Sequence, residues 1–94
     1  MSASRRPDLR VGPVLESGET SSAIVAAIRA LNPSAEVQDR GSYLRVLAEE
    51  RCVVTRVAIE HALGRPFRLP DDLEPLMPSF KGALTMSEDE VTWS

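Results

Sequence analysis

Hydrophobic and polar positions alternate most regularly between residues 39 and 67, and this stretch organises the chain. Within residues 43–48, Leu44, Val46 and Ala48 fall on one side of an extended backbone, and Tyr43, Arg45 and Leu47 on the other. A period of two suits a strand with one buried face. Glu49-Glu50-Arg51 then supplies a polar turn. The β-branched run Cys52-Val53-Val54 is expected to return as a strand, antiparallel to the one before it. After it the period becomes helical. Ala58, Ile59, Ala62 and Leu63 form a stripe, with Thr55 as the cap, Gly64 as the terminator and Pro66 as a hard stop. Phe67 and Leu69 are expected to tuck back under the end of this helix.

The flanking segments follow the same logic. Residues 9–16 read as a strand interrupted by Gly12-Pro13. Proline offers no N–H to a ladder, so an edge position or a bulge is expected there. Residues 20–31 predict a helix, with Ile24, Ala27, Ile28 and Leu31 on its apolar stripe and Thr20 or Ser21 as its cap. Asn32-Pro33 ends it, because the residue before a proline disfavours helical geometry. Residues 35–39 form a short strand, and Arg40-Gly41-Ser42 a turn. Residues 70–76 predict a short helix or turn, 77–81 a loop and 82–86 a strand. Ser87-Glu88-Asp89-Glu90 makes a hairpin turn, and residues 91–93 close the sheet. The result is an α+β fold: a small single domain of two β-α-β-β-like halves, with a mostly antiparallel sheet and two main helices. Residues 1–8 are polar and Pro-punctuated and read as a disordered tail, leaving residues 9–94 as the domain.

A chain of 94 residues is one domain near the lower end of self-sufficient size. Its net charge of −3 argues against nucleic acid as the main partner, since phosphate binding requires a basic excess. Arg40, Arg45, Arg51, Arg56, Arg65 and Arg68 crowd the middle, whereas Asp71, Asp72, Glu74, Glu88, Asp89 and Glu90 crowd the end. That polarity fits a steered protein partner as well as an ordinary solvated surface. Cys52 is the only cysteine, so neither an internal disulfide nor a cysteine metal cage can form, and a reducing cytoplasm is the default. The N-terminus has no apolar signal region, and no apolar run approaches the ~20 residues of a membrane span.

Catalytic chemistry is not evident. His61 is the only histidine and lacks the partners of a zinc site or a triad. Cys52 sits beside Val53 and reads as a small buried hydrophobe. Neither Asp71-Asp72 nor the 87–90 run has the pattern of a calcium loop, and the glycines are too scattered for a phosphate loop. Ser79-Phe80-Lys81-Gly82 can either anchor a loop to the core or fill a partner's pocket. Asn32 can either terminate its helix or reach outward as an exposed amide. A small-molecule-sensing regulatory domain is one alternative function. A composite active site using Glu60 and His61 is another.

Several short runs fall in a familiar order: Val11-Gly12-Pro13, Asn32-Pro33, Asp39-Arg40 before Tyr43, Leu63-Gly64-Arg65-Pro66-Phe67, and Ser79-Phe80-Lys81-Gly82. Their order and spacing resemble the regulatory proteins of soluble bacterial diiron multicomponent monooxygenases, the MmoB/DmpM family, from about residue 11 to residue 93. The short stretch before Val11 points toward the toluene, phenol or alkene branch. The resemblance implies an effector with no cofactor and no reaction of its own, monomeric when free. It would bind the diiron hydroxylase, shift helices at its active site, couple electron transfer to hydroxylation, and compete with the reductase or ferredoxin component. It implies Asn32 as the residue reaching the hydroxylase, flanked by Pro33, Ser34, Arg40 and Tyr43, with Ser79, Phe80, Lys81 and Gly82 as a second contact. Arg65 would be a further contact or an internal ion-pair partner. An Asn32 sealed inside the fold would count against this assignment.

Overall fold

A computed structural model describes residues 9–94, so the expected tail over residues 1–8 lies outside the described residues. The elements run β1 (Arg10–Glu16), α1 (Glu19–Leu31), β2 (Glu36–Asp39), β3 (Tyr43–Glu49), β4 (Cys52–Thr55) and α2 (Arg56–Leu63). A 3₁₀ turn at Glu74–Leu76 follows, then β5 (Ser79–Lys81), β6 (Leu84–Met86) and β7 (Glu90–Trp93).

These strands make two antiparallel sheets, ordered β2-β3-β1-β5 and β4-β7-β6. The expected halves are both present. In each, the strand before the helix pairs with the last strand of the half, giving β1-β3-β2 and β4-β7-β6. β5 departs from this plan. It comes from the second half of the chain and adds to the open side of β1.

Two pairings differ from the sequence reading. β4 does not return on β3. Both sides of β3 are already taken, by β1 and β2, so no edge remains for it. Glu50 turns the chain instead with φ of 63°, its N–H donating to the Leu9 carbonyl at 2.8 Å, and β4 pairs with β7. Nor is β1 an edge strand, despite Pro13. It lies between β3 and β5. Its register with β3 continues unshifted from Arg10↔Glu49 to Glu16↔Tyr43, so no bulge residue is inserted. Gly12 and Pro13 simply drop out of the β3 pairing and face Lys81 and Phe80 of β5. Gly12 is required there: a Cβ would stand 2.2 Å from the Val46 carbonyl oxygen, and its φ is 150°. Residues 79–81, expected as a loop, are a strand because β1 offers them a ladder; three residues are too few to show a period.

The core gathers Leu15, Ile24, Ile28, Val46, Ile59 and Trp93, none of which exposes surface. Each such aliphatic side chain contributes ~1.5–3 kcal/mol by leaving water. On α1, Val25 is buried, while Leu31, expected on the apolar stripe, is 42% exposed at the helix end. Gly18 rather than Thr20 or Ser21 occupies the cap position, without a side-chain hydrogen bond. On α2 the expected ends hold. Thr55 Oγ1 accepts from the Ala58 N–H at 3.1 Å, and Gly64 adopts φ of 79°. Only Ile59 of the α2 stripe is fully buried; Ala58 and Leu63 are half-buried and Ala62 is exposed. Phe67 and Leu69 tuck in as expected, at 3% and 5% exposure. The two helices pack antiparallel. Arg65 Nη2, just past α2, donates to Thr20 Oγ1 in the first turn of α1 at 3.2 Å. At the other end, Asn32 meets β4, the strand that leads into α2.

Candidate functional sites on the open sheet face and the α1 turn

The four-stranded sheet turns Val11, Leu15, Val46 and Ala48 into the core. Its other face carries the alternate residues. Ladder partners share a face, so the pairs Glu16↔Tyr43, Val14↔Arg45, Val14↔Ser79 and Gly12↔Lys81 lie together on this outer side. A depression of about 470 Å³ is lined there by Gly12, Val14, Tyr43, Arg45, Ser79, Phe80 and Lys81. Tyr43 and the 79–81 segment, far apart in sequence, thus meet across β1. Tyr43 is 38% exposed and Phe80 42%. The core-anchoring reading of Phe80 is therefore only half met: it sits at the edge, paired with Pro13 but 42% exposed.

Arg40 lies at the rim. Its N–H donates to the Tyr43 carbonyl at 2.9 Å and its Nη2 to Gln38 Oε1 at 3.0 Å. Ser17 Oγ donates to the Gly41 carbonyl at 2.7 Å, holding the β2–β3 hairpin tip against the end of β1. Arg10 reaches from β1 across β3 to Glu36 on β2, at 3.2 Å. Both partners are well exposed, so this pair contributes little, ~0–1 kcal/mol. Gly82 stands just outside the depression with φ of 103°, where a Cβ would lie 2.7 Å from Val11 Cγ1. The sequence reading missed Gly12, Val14 and Arg45 as part of this face. Arg45 alternates in step with Tyr43, and that signal was present; the approach of β5 had none.

Asn32, Pro33 and Ser34 lie elsewhere, at the C-terminus of α1. The reading of Asn32 as an exposed amide is corrected. The residue is 8% exposed, and its side chain is fully committed within the fold. Nδ2 donates to the Ile28 carbonyl at 2.7 Å and to the Val53 carbonyl at 2.6 Å, and Oδ1 accepts from the Val53 N–H at 3.0 Å. Pro33 and Ser34, next to it, are exposed. The 13 residues of α1 separate this turn from the hairpin tip that carries Arg40, since one end of α1 follows Ser17 and the other precedes β2. The nine expected contact residues therefore divide into two surfaces, not one.

Polar groups of the second half are occupied structurally. Arg56 Nη1 pairs with Glu60 at 3.2 Å, its Nη2 with Asp89 at 3.3 Å, and its Nε donates to the Glu88 carbonyl at 3.2 Å. The hydrogen bond to Asp89 and the charge of Glu60 push the Arg56 guanidinium further up. Glu60 Oε2 also accepts from the Phe67 N–H at 3.0 Å. Glu60 thus fixes the chain after α2, while His61 is exposed on the helix. Arg65, read as a further contact or an internal ion-pair partner, makes an internal hydrogen bond to a hydroxyl, that of Thr20. Burial pushes the Cys52 thiol up to about 11. Among the described residues no three His, Cys, Asp or Glu side chains gather as a metal site, and no helix is long and apolar enough to cross a membrane.

The profile of the MmoB/DmpM family matches residues 9–94. The chain is 42% identical over 85 residues to an alkene monooxygenase system effector subunit of Xanthobacter autotrophicus (strain ATCC BAA-1158 / Py2), covering 88% of this chain and 83% of that one. Its fold superposes on a chain of a phenol hydroxylase–regulatory protein complex with a TM-score of 0.79 and 26% identity, covering 90% and 95% of the two chains. It also matches the soluble methane monooxygenase regulatory protein B with a TM-score of 0.70 and 22% identity, covering 95% of this chain and 67% of that one. This last likeness is one of fold.

Proposed function

This chain belongs to the MmoB/DmpM family, and we propose that it is the effector subunit of a bacterial multicomponent monooxygenase acting on an alkene or aromatic substrate. The observation that carries this reading is the 42% identity to an alkene monooxygenase effector along nearly its whole length. The effector has no catalysis and no cofactor of its own. It works from the cytoplasm as a monomer that docks on the diiron hydroxylase and alternates there with the reductase or ferredoxin component.

Docking regulates by differential affinity. An effector shifts the hydroxylase only by as much as it prefers one conformation over another, ~1.4 kcal/mol for each tenfold bias. The open sheet face is the main docking surface, with Tyr43, Ser79 and Lys81 across it, Phe80 and Gly82 along its edge, and Arg40 at its rim. Aromatic and arginine side chains are the usual energetic anchors of such contacts, and Arg45 lines the same depression as Tyr43. The exposed Pro33-Ser34 turn is a second contact. Asn32 is sealed inside the fold, which counts against the contact role that the resemblance implied for it; the effector reading stands instead on the family match over residues 9–94 and the 42% identity, and Asn32 is not assigned to the interface.

The test is gel filtration with the cognate hydroxylase together with product formed per NADH consumed. Complex formation and a rise in coupling are expected. No complex at micromolar concentrations and unchanged coupling would end the proposal.

A further inference from the structure

We infer that Asn32 is a positioning residue: its amide stands in for a strand on the edge of β4 and thereby sets the exposed Pro33-Ser34 turn for docking. The inference rests on the effector reading above. β4 is an edge strand of its sheet, with β7 on one side only. Backbone groups of successive residues in an antiparallel strand point alternately to either side. Val53 is the residue whose N–H and C=O both turn away from β7, because both are bonded to Asn32. The amide supplies one acceptor and one donor to them, the pair that a neighbouring strand would offer.

The remaining amide hydrogen goes to the Ile28 carbonyl, which also accepts from the Asn32 backbone N–H at 2.8 Å. Both hydrogens of the group and its oxygen are therefore used. Ending a helix needs none of the side-chain bonds; the backbone bond to Ile28 and the following proline suffice. The extra bonds join α1 of the first half to β4 of the second. The turn is closed by the Ala35 N–H donating to the Asn32 carbonyl at 2.9 Å. On either side of this buried group stand exposed residues: Leu31 at 42%, then Pro33 and Ser34. Val57, 67% exposed in the first turn of α2, lies at the same end of the helix pair. Asn32 fixes how this end is presented without being part of it.

Alanine removes the clamp. Aspartate keeps the acceptor for the Val53 N–H but sets a carboxylate against two carbonyl oxygens. Both variants should remain folded at 25 °C by circular dichroism, with faster hydrogen exchange at the Val53 amide. In the full chain with its cognate hydroxylase, Asn32→Ala and Asn32→Asp should each weaken Kd at least tenfold. At saturating effector, product per NADH should return to the wild-type value, because presentation is impaired and not the docked state. A Kd within twofold of wild type, with Val53 exchange accelerated, would overturn the inference and leave the clamp a matter of stability alone. Should both variants unfold, Ser34→Trp and Val57→Asp keep the clamp intact and test the end it presents. Each should weaken Kd tenfold, and an unchanged Kd in both would overturn the inference. Failure of the wild-type chain to bind would instead sink the effector reading, and this one with it.

Discussion

Cys52 of β4 and Trp93 of β7 stand opposite each other in the ladder, and neither side chain exposes any surface. The pair sits where the second sheet closes on the core. Burial holds the thiol neutral, up to about 11 against an ordinary value of 9.0. The raised value applies to an acid whose neutral form the fold prefers. Below pH 9 both folded and unfolded thiols are protonated and the contribution is complete. Between pH 9 and 11 the unfolded chain ionises first, so stability falls as pH rises, by ~2–3 kcal/mol in total. Denaturant melts at pH 8, 9.5 and 10.5 should show this decline. At pH 8, modification of the thiol by a disulfide reagent should proceed only as fast as the protein opens.

Trp93 presents a different balance. Its Nε1 is buried with no partner among the described residues, as is Ser21 Oγ. Trp93→Ala should cost ~3–5 kcal/mol as a cavity. Trp93→Phe loses packing but also removes an unsatisfied N–H, which itself costs ~1–3 kcal/mol. The phenylalanine variant should therefore lie within about 1 kcal/mol of wild type in a urea melt. A loss near that of the alanine variant would mean that the indole N–H is satisfied after all.

Gly12 cannot accept a side chain. With a Cβ placed 2.2 Å from the Val46 carbonyl oxygen and φ of 150°, Gly12→Ala must push β1 and β3 apart. A loss of about 3 kcal/mol or more is expected. Gly41 is the control: its φ is 86°, but nothing lies within 4 Å, so Gly41→Ala should cost only ~1 kcal/mol. Thermal melts of the two variants compare clash with backbone strain alone.

The open sheet face should separate binding from folding. Tyr43→Ala and Phe80→Ala should each weaken hydroxylase docking by ~1–2 kcal/mol while changing the unfolding free energy by less than about 2 kcal/mol, because both side chains are only partly covered and lie outside the buried core. Isothermal titration against the hydroxylase, alongside urea melts, gives both quantities. Lost stability with unchanged affinity would place these residues in the fold and remove them from the interface.

The residues differ in how openly they announced these roles. Thr55, Gly64 and Pro66 mark the bounds of α2 through local chemistry, and the structure agrees. The alternation over β3 was equally plain, as was the tuck of Phe67 and Leu69. What stayed hidden depends on distant partners. Glu50-Arg51 has the length of a hairpin turn, and nothing local reveals that β3 lacks a free edge. Pro13 argued for an edge strand, yet a three-residue partner that needs no N–H from Pro13 makes β1 interior. Leu31 keeps helical spacing but lies where α1 outruns the core. Asn32 shows the limit most sharply. Helix termination and an outward reach were both legible in Asn-Pro, whereas a strand edge more than 20 residues away in sequence was not.

The departure of β5 from the plan of the two halves has a consequence for how the chain could ever be divided. A break between Glu50 and Arg51 would leave the first fragment with an uncovered β1 and the second with a strand that has nothing to zip onto. Neither fragment is a module that could be moved alone into another protein. Supplied together, they should reconstitute one body, because each carries what the other is missing.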